Sequence, residues 1–243
     1  MDIFGDLTAE QDRLEAILDA LDDDAWTTES GAPGWTIADV VLHLAQSEEA
    51  VVATVSRRGS GPSSFAAPGR LDDVMDARVR AERAEPAVVF ARWRAARRAA
   101  VDALRGADPK LPVQWAAAPL KPPTLATTRL AEHWAHGLDV TEPLGVPFPD
   151  TDRLRHVAWL GHGSLPYAFR LAGQEPHEVH CELVAPDGST WAYGPPDADS
   201  TISGPAGAFC RVGAQRLVPE DSGLVTTGPH GRAALGVLRN YAG

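Results

Sequence analysis

Glu132 and His136 are the two residues whose types and spacing point most directly to chemistry. They lie four residues apart within TLATTRLAEHWAHGLDV, which spans Thr124 to Val140, and Asp139 falls on the same side of this predicted helix. Side chains at this spacing stack on one helix face, about one turn apart. A carboxylate and an imidazole placed in this way can share a divalent metal ion when a third ligand comes from another segment. A solvated surface pair has the same spacing, so the pair alone leaves both interpretations open.

His43 is the candidate third ligand. The apolar residues between Ile37 and Val55 recur with a helical period, and His43 lies at the edge of this stripe, where a side chain can face a cavity. His43, Glu132 and His136 would form a ligand set for Zn²⁺ if their two helices are neighbours in a bundle. The chain has eight histidines, so accidental pairs are expected. Spacing therefore does not decide between a metal site and an ordinary hydrogen-bonded role.

The rest of the sequence offers few other catalytic groups. It contains no Gly-x-Ser-x-Gly nucleophile turn, no phosphate-binding glycine-rich loop and no Gly-x-Gly-x-x-Gly after a predicted strand. His133 follows Glu132 directly and points to a different helix face, which makes it a poorer ligand. Cys181 and Cys210 are too far apart for a Cys-x-x-Cys motif and too few for a disulfide framework. We expect both cysteines to be reduced and buried.

Charge and hydropathy argue against two classes of partner. The formal net charge is −11, whereas a nucleic-acid-binding surface needs clustered Lys and Arg to contact phosphates. The N-terminal segment has no basic region followed by an apolar core, and no apolar run reaches membrane-spanning length. We therefore expect a cytoplasmic protein that binds neither nucleic acid nor a membrane.

The positions of apolar residues predict an α+β fold with two domains. Helical periodicity predicts helices at residues 7–21, 37–55, 71–84, 86–104, 124–140 and 152–171. Alternation predicts strands at residues 179–184, 190–193, 200–203 and 224–226, with short helices at 204–212 and 233–239. We expect a helical domain over residues 1–173 and a small α+β domain over residues 174–243. The segment from Arg57 to Arg70 is rich in Gly, Ser and Pro and is predicted to be a loop, either flexible or a flap over a site.

Three segments, in order, resemble the mycothiol-dependent maleylpyruvate isomerase family within the DinB-like metal-binding superfamily. They are GWTIADVVLHLA at 34–45, TTRLAEHWAHGLDV at 127–140 and GPAGAFCRVGAQR at 204–216. The resemblance implies a DinB-like up-down four-helix bundle that binds a divalent metal, usually zinc, through His43, Glu132 and His136. It also implies a small C-terminal domain with a sterol-carrier-like fold. There Arg216 loosely matches a family arginine, although the Gly-Arg of the family is Gln215-Arg216 here.

The function implied by this resemblance is that of a metal-dependent isomerase or S-transferase that uses mycothiol. Metal-bound thiolate would attack an electrophilic small molecule, because a cation stabilises the thiolate form. The expected cofactors are a divalent metal, with Zn as the expected ion, and mycothiol, and the expected assembly is a monomer or homodimer. Arg78, Arg80 and the Arg57 to Arg70 loop are candidates for binding carboxylates of substrate or cofactor, with ordinary surface arginines as the alternative.

Two alternatives remain open from the sequence. One is a metal enzyme of the same fold that uses no thiol, such as a hydrolase or a tailoring enzyme of secondary metabolism. The other is a non-catalytic module that binds a hydrophobic ligand. The first alternative and the thiol-dependent function share the same predicted metal site, so the sequence discriminates poorly between them.

Overall fold

A computed structural model describes residues 2–56, 71–115 and 118–240 of the 243-residue chain. The chain divides into two compact units, and the division falls between Phe148 and Pro149. The predicted α+β fold class is confirmed, because the first unit is helical and the second combines helices with a four-stranded sheet. None of the described helices is long and apolar enough to cross a membrane. The predicted loop from Arg57 to Arg70 lies outside the described residues.

The described part of the first unit contains six helices. They are α1 (Ile3–Asp19), α2 (Asp23–Thr27), α3 (Ile37–Ser56), α4 (Leu71–Ala81), α5 (Pro86–Gly106) and α6 (Pro122–Thr141). The four long helices α1, α3, α5 and α6 pack against one another, most extensively α3 on α5 and α1 on α6. The short helix α2 was not predicted. It forms at the acidic turn, where the side chain of Asp22 accepts a hydrogen bond from the N–H of Ala25.

Local sequence signals explain where the long helices begin. Thr36 and Asp39 form a capping box at the start of α3, since each side chain accepts a hydrogen bond from the backbone N–H of the other residue, at 3.2 and 3.0 Å. Helices α5 and α6 begin at prolines, whose fixed φ suits the first helical turn. The apolar stripes of these helices meet in a core that includes Leu14, Ile37 and Trp93.

The second unit combines helices with a mixed sheet. Its described elements are α7 (Leu154–Leu171), β1 (His180–Val184), β2 (Thr190–Tyr193), β3 (Thr201–Pro205), α8 (Ala206–Gly213), a 3-10 helix (Pro219–Asp221), β4 (Val225–Thr227) and α9 (Gly231–Val237). The strand order is β2-β1-β3-β4, with β1 antiparallel to β2 and parallel to β3, and β4 antiparallel to β3. The hairpin between β1 and β2 turns at Asp187-Gly188, a residue pair typical of tight hairpin turns. Gly188 has a φ of 84°, which glycine adopts without steric cost.

Helix α7 packs within the second unit, which differs from the predicted domain boundary at residue 173. It contacts α8 and α9. The contact with α8 is close, because a methyl group at Gly161 would lie 3.2 Å from Cε1 of Phe209. Periodicity indicates that residues 152–171 form a helix, but it does not indicate which unit the apolar face of that helix meets.

Gln215 follows α8 in a backbone conformation that favours glycine. Its φ is 57°, and the N–H groups of Gln215 and Arg216 donate to carbonyls of the last turn of α8, which is a Schellman cap. A side chain in this left-handed region costs about 1–2 kcal/mol, partly offset because glycine loses more entropy on folding. We therefore expect Gln215→Gly to raise the free energy of unfolding by about 1 kcal/mol in urea titrations.

Ala214→Gly is the matched control for this prediction. Ala214 precedes Gln215 and has a φ of −83°, a region that residues other than glycine adopt readily, so glycine relieves no strain there. We expect this control to lower the free energy of unfolding. A Gln215→Gly variant that is no more stable than the wild type would contradict the argument from backbone strain.

Candidate metal centre

The contact between α3 and α6 brings the three predicted metal ligands together. The Nε2 atom of His43 lies 3.6 Å from Oε2 of Glu132, and Nε2 of His136 lies 3.5 Å from the same oxygen. One possible ligand atom from each residue lies within 4.8 Å of the other two, in a grouping suited to one cation. The side chain of Glu132 is 28% exposed and those of the two histidines are 12% exposed. The carboxylate is therefore the most accessible of the three.

Burial and neighbouring charges shift the pKa values of these three groups in opposite directions. Burial lowers the pKa of His43 more than the neighbouring Glu132 carboxylate raises it. Burial would also lower the pKa of His136, but the interactions with Asp139 and Glu132 raise this pKa to about 9. Burial alone would raise the pKa of Glu132, yet the imidazoles of His136 and His43 hold it well below its usual range. At neutral pH two of the donors are already in their metal-binding form, and only His136 has a proton to release.

Asp139 and Trp35 contact the two histidines from outside the cluster. Oδ2 of Asp139 lies 2.8 Å from Nδ1 of His136. The ring of Trp35 lies beside that of His43, with 5.2 Å between the ring centroids. The indole N–H of Trp35 donates in turn to Oδ1 of Asp76 in α4, at 2.9 Å. Both histidines therefore contact a second residue that is itself held in place by the fold.

A buried ion pair lies next to the cluster. Nε of Arg129 donates to Oε1 of Glu48 at 2.8 Å, and the side chains are 3% and 0% exposed. The backbone oxygen of Arg129 lies 2.8 Å from Nδ1 of His133, whose Nε2 accepts a hydrogen bond from Trp93 at 3.2 Å. Burial lowers the pKa of His133 to about 3, and the charge of Arg129 adds to this effect. His133 is thus a neutral residue of the core.

Each of the three arginines predicted to bind cofactor or substrate has a partner within the protein. Nε of Arg80 donates to Oδ2 of Asp76 at 2.7 Å. Nε of Arg78 lies 3.5 Å from Oε1 of Glu82. Nη1 of Arg216 donates to a backbone oxygen at the end of α8, at 2.8 Å. Binding of a cofactor or substrate by these arginines stays a prediction.

The two cysteines are not suited to act as nucleophiles. Cys181 and Cys210 are both free and buried, as predicted. Burial raises the pKa of Cys181 to about 12 and also raises the pKa of Cys210, so neither thiol ionises at neutral pH. Neither protein thiol is therefore a source of thiolate at neutral pH.

Several residues around the cluster have a role that their sequence positions alone do not reveal. The helical period predicts that Asp139 lies on the ligand face of its helix, and its position three residues after His136 is a usable signal for the contact between them. Trp35 directly precedes the helix cap at Thr36, and nothing in the local sequence indicates its contact with His43. The pairing of Glu48 with Arg129 has no local signal, because the two residues lie 81 positions apart.

This protein belongs to a class with a candidate metal centre in a helical unit. The helical unit carries the His, Glu and His cluster and is followed along the chain by a small α+β unit. Comparison with known families then identifies the class further. The chain belongs to the family described as mycothiol maleylpyruvate isomerase N-terminal domain, which matches residues 7–141. All three cluster residues lie inside this match, and the predicted family resemblance is confirmed.

Similar proteins extend over nearly the whole chain. Two proteins of Mycobacterium tuberculosis, from two strains and both described as uncharacterized, are each 33% identical over 242 residues, which cover 98% of this chain and 94% of the relative. The crystal structure of the mycothiol-dependent maleylpyruvate isomerase matches with a TM-score of 0.65 and 14% identity over 93% of this chain and 91% of that chain. A histidine-to-alanine variant of that enzyme matches equally well. At this identity the structural match supports the fold alone.

Proposed function

We propose that this protein is a metal-dependent enzyme that uses a low-molecular-weight thiol, mycothiol, to attack an electrophilic small molecule. The observation that carries the proposal is the convergence of His43, Glu132 and His136 in a member of this family. Isomerisation and S-transfer both fit this description, since each begins with attack by a thiolate. The substrate class is an electrophile, such as an activated double bond.

The residues of the cluster fit a divalent metal. Two imidazole nitrogens and one carboxylate oxygen form a donor set that zinc accepts, and a catalytic zinc site keeps further positions for other ligands. The Nε2 atoms of His43 and His136 both face Oε2 of Glu132. Zinc is the proposed ion, because imidazole ligands suit it better than they suit magnesium or calcium.

The cluster would hold the metal, and the surrounding side chains would restrict the access of water to it. A divalent cation held by these residues favours the thiolate form of a thiol over the neutral form, and the thiolate is the nucleophile. The low exposure of the two histidines limits the access of water to one side of the cluster. The buried, neutral thiols of Cys181 and Cys210 support an external source of sulfur.

Mycothiol is expected to raise the melting temperature of the zinc-loaded protein. A ligand at 100 times its dissociation constant adds about 2.7 kcal/mol, which corresponds to a rise of about 5–10 °C for a chain of this size. Differential scanning fluorimetry on zinc-loaded protein measures this shift. The matched control is S-methyl mycothiol, which keeps the sugar and cysteine groups but has no ionisable thiol.

Different outcomes separate the proposed function from its alternative. A shift with mycothiol that is much smaller with its S-methyl derivative supports recognition through sulfur. Zinc binding without a shift from any thiol contradicts the thiol-dependent function and favours a metal enzyme of the same fold that uses no thiol. Equal shifts with both compounds would show binding that does not involve the thiol group.

A further inference from the structure

We infer that Asp139 is a positioning residue of the metal centre, which holds the imidazole of His136 in the tautomer and orientation needed to bind the ion. This inference rests on the proposed metal site and adds a residue to it. Oδ2 of Asp139 lies 2.8 Å from Nδ1 of His136. An ionised carboxylate only accepts hydrogen bonds, so Nδ1 must carry the hydrogen. In the neutral ring the lone pair is then on Nε2, the atom that faces Glu132.

The hydrogen bond between Asp139 and His136 is formed within helix α6 and is shielded from water. Asp139 follows His136 by three residues, so the two side chains lie on one face of the helix. The side chain of Asp139 is 3% exposed, which shields the hydrogen bond from competition by water. A buried carboxylate that accepts from the distal nitrogen of a ligating histidine both orients the ring and increases its basicity.

Asp139 is itself held by the loop between α2 and α3. The backbone oxygen of Asp139 accepts a hydrogen bond from the N–H of Gly31 at 2.8 Å. A methyl group at Gly31 would lie 3.0 Å from both Cα and Oδ1 of Asp139, so the loop packs directly on this residue. A bridge between Glu29 and Thr36 closes the base of the loop. The position of Asp139 is therefore fixed from two sides, by its own helix and by this loop.

The two candidate histidine ligands are held in place by different kinds of contact. Among the described residues, Nδ1 of His43 is buried without a hydrogen-bond partner, and the ring of His43 is flanked by Trp35 instead. The hydrogen bond from His136 to Asp139 thus fixes one ligand, while aromatic packing restrains the other. We therefore expect the metal affinity of the site to be sensitive to Asp139.

The test measures zinc affinity by competition with a chromophoric chelator in full-length Asp139→Ala and Asp139→Asn variants. Loss of an outer hydrogen-bond partner typically weakens metal binding by about 10- to 100-fold, and we expect this loss for Asp139→Ala. We expect a smaller loss for Asp139→Asn, because the amide oxygen can accept the same hydrogen bond without the charge. The visible spectrum of the Co²⁺-loaded protein should change in the alanine variant, since it reports ligand geometry.

Two further variants separate positioning from simple destabilisation. Thr141→Ala removes a buried hydroxyl from the same helix, whose only described hydrogen bond goes to the backbone oxygen of Gly137 at 2.7 Å. We expect it to lower the melting temperature of the metal-free protein and to leave zinc affinity unchanged. Gly31→Ala changes no polar group but displaces Asp139, and we expect weaker zinc binding. This second variant keeps the test decisive if Asp139→Ala does not fold.

The outcomes distinguish this inference from the proposed function. Zinc binding by the wild type with unchanged affinity in Asp139→Ala overturns the positioning role and leaves the metal site intact. Equal losses of affinity in Asp139→Ala and Thr141→Ala also overturn it, because they point to general destabilisation. Failure of the wild type to bind zinc overturns the metal site itself and the inference with it.

Discussion

Zinc affinity is expected to fall by more than about 100-fold when His43 or His136 is replaced by alanine. Removing a residue that only hydrogen-bonds to a metal ligand typically weakens metal binding by about 10- to 100-fold, and loss of the ligand itself should exceed this range. Each histidine supplies one of only three protein ligands in the proposed site, and His43 is the one ligand contributed by α3. Without it, Glu132 and His136 on α6 are left as a pair on a single helix. A pair without a third ligand does not define a site for zinc.

The measurement is zinc content after dialysis, followed by chelator competition for each variant. Glu132→Gln is a third variant, which keeps the size of the side chain but removes the negative charge at the centre of the cluster. His162→Ala in the second unit is the control, because His162 lies 3.0 Å from the backbone oxygen of Val179 and outside the cluster. We expect the control to bind zinc as the wild type does.

A stoichiometry near one zinc per chain that persists in all three cluster variants would place the metal elsewhere. Loss of zinc in one histidine variant but not in the other would indicate a two-ligand site completed by a residue outside the cluster. Either result contradicts the three-residue centre. Far-UV circular dichroism of each variant checks that the helices are retained, so that loss of metal is not loss of fold.

The ligand face of α6 could be predicted because it depends only on local sequence. The helical period fixes which side chains share a face, and it predicts that Glu132, His136 and Asp139 lie together without reference to any tertiary contact. The position of His43 required an additional assumption, that α3 and α6 are neighbours, and the resemblance to a family supported it. The structure shows that contact directly.

Contacts between distant segments could not be predicted in this way. Glu48 and Arg129 each look like ordinary charged residues of a helix, and only the packing of α3 against α6 removes both from water. The unit to which α7 belongs is a similar case, because the apolar face of a helix is compatible with more than one partner. Spacing reveals which residues share a face, whereas burial and pairing depend on which faces meet.

Replacing Arg129 or Glu48 alone is expected to lower the free energy of unfolding by about 3–5 kcal/mol, because each single change leaves a buried charge without its partner. Both side chains are almost completely buried, and their hydrogen bond is 2.8 Å long. We propose Arg129→Met and Glu48→Met as the single variants, with the double variant as the matched control. Replacement of both charges by apolar side chains is often neutral or stabilising, so the double variant should recover most of the loss.

The two single variants should differ in their dependence on pH. Burial raises the pKa of Glu48, and Arg129 opposes this effect, so Arg129→Met should raise the pKa further. The folded Arg129→Met variant then binds a proton that the unfolded chain has lost, and its stability falls as pH rises from the unfolded pKa of Glu48 through the folded pKa. Glu48→Met leaves a guanidinium that stays charged, so it should show no such slope. Urea unfolding across this pH range measures both effects, and a double variant no more stable than either single variant would contradict the proposed coupling.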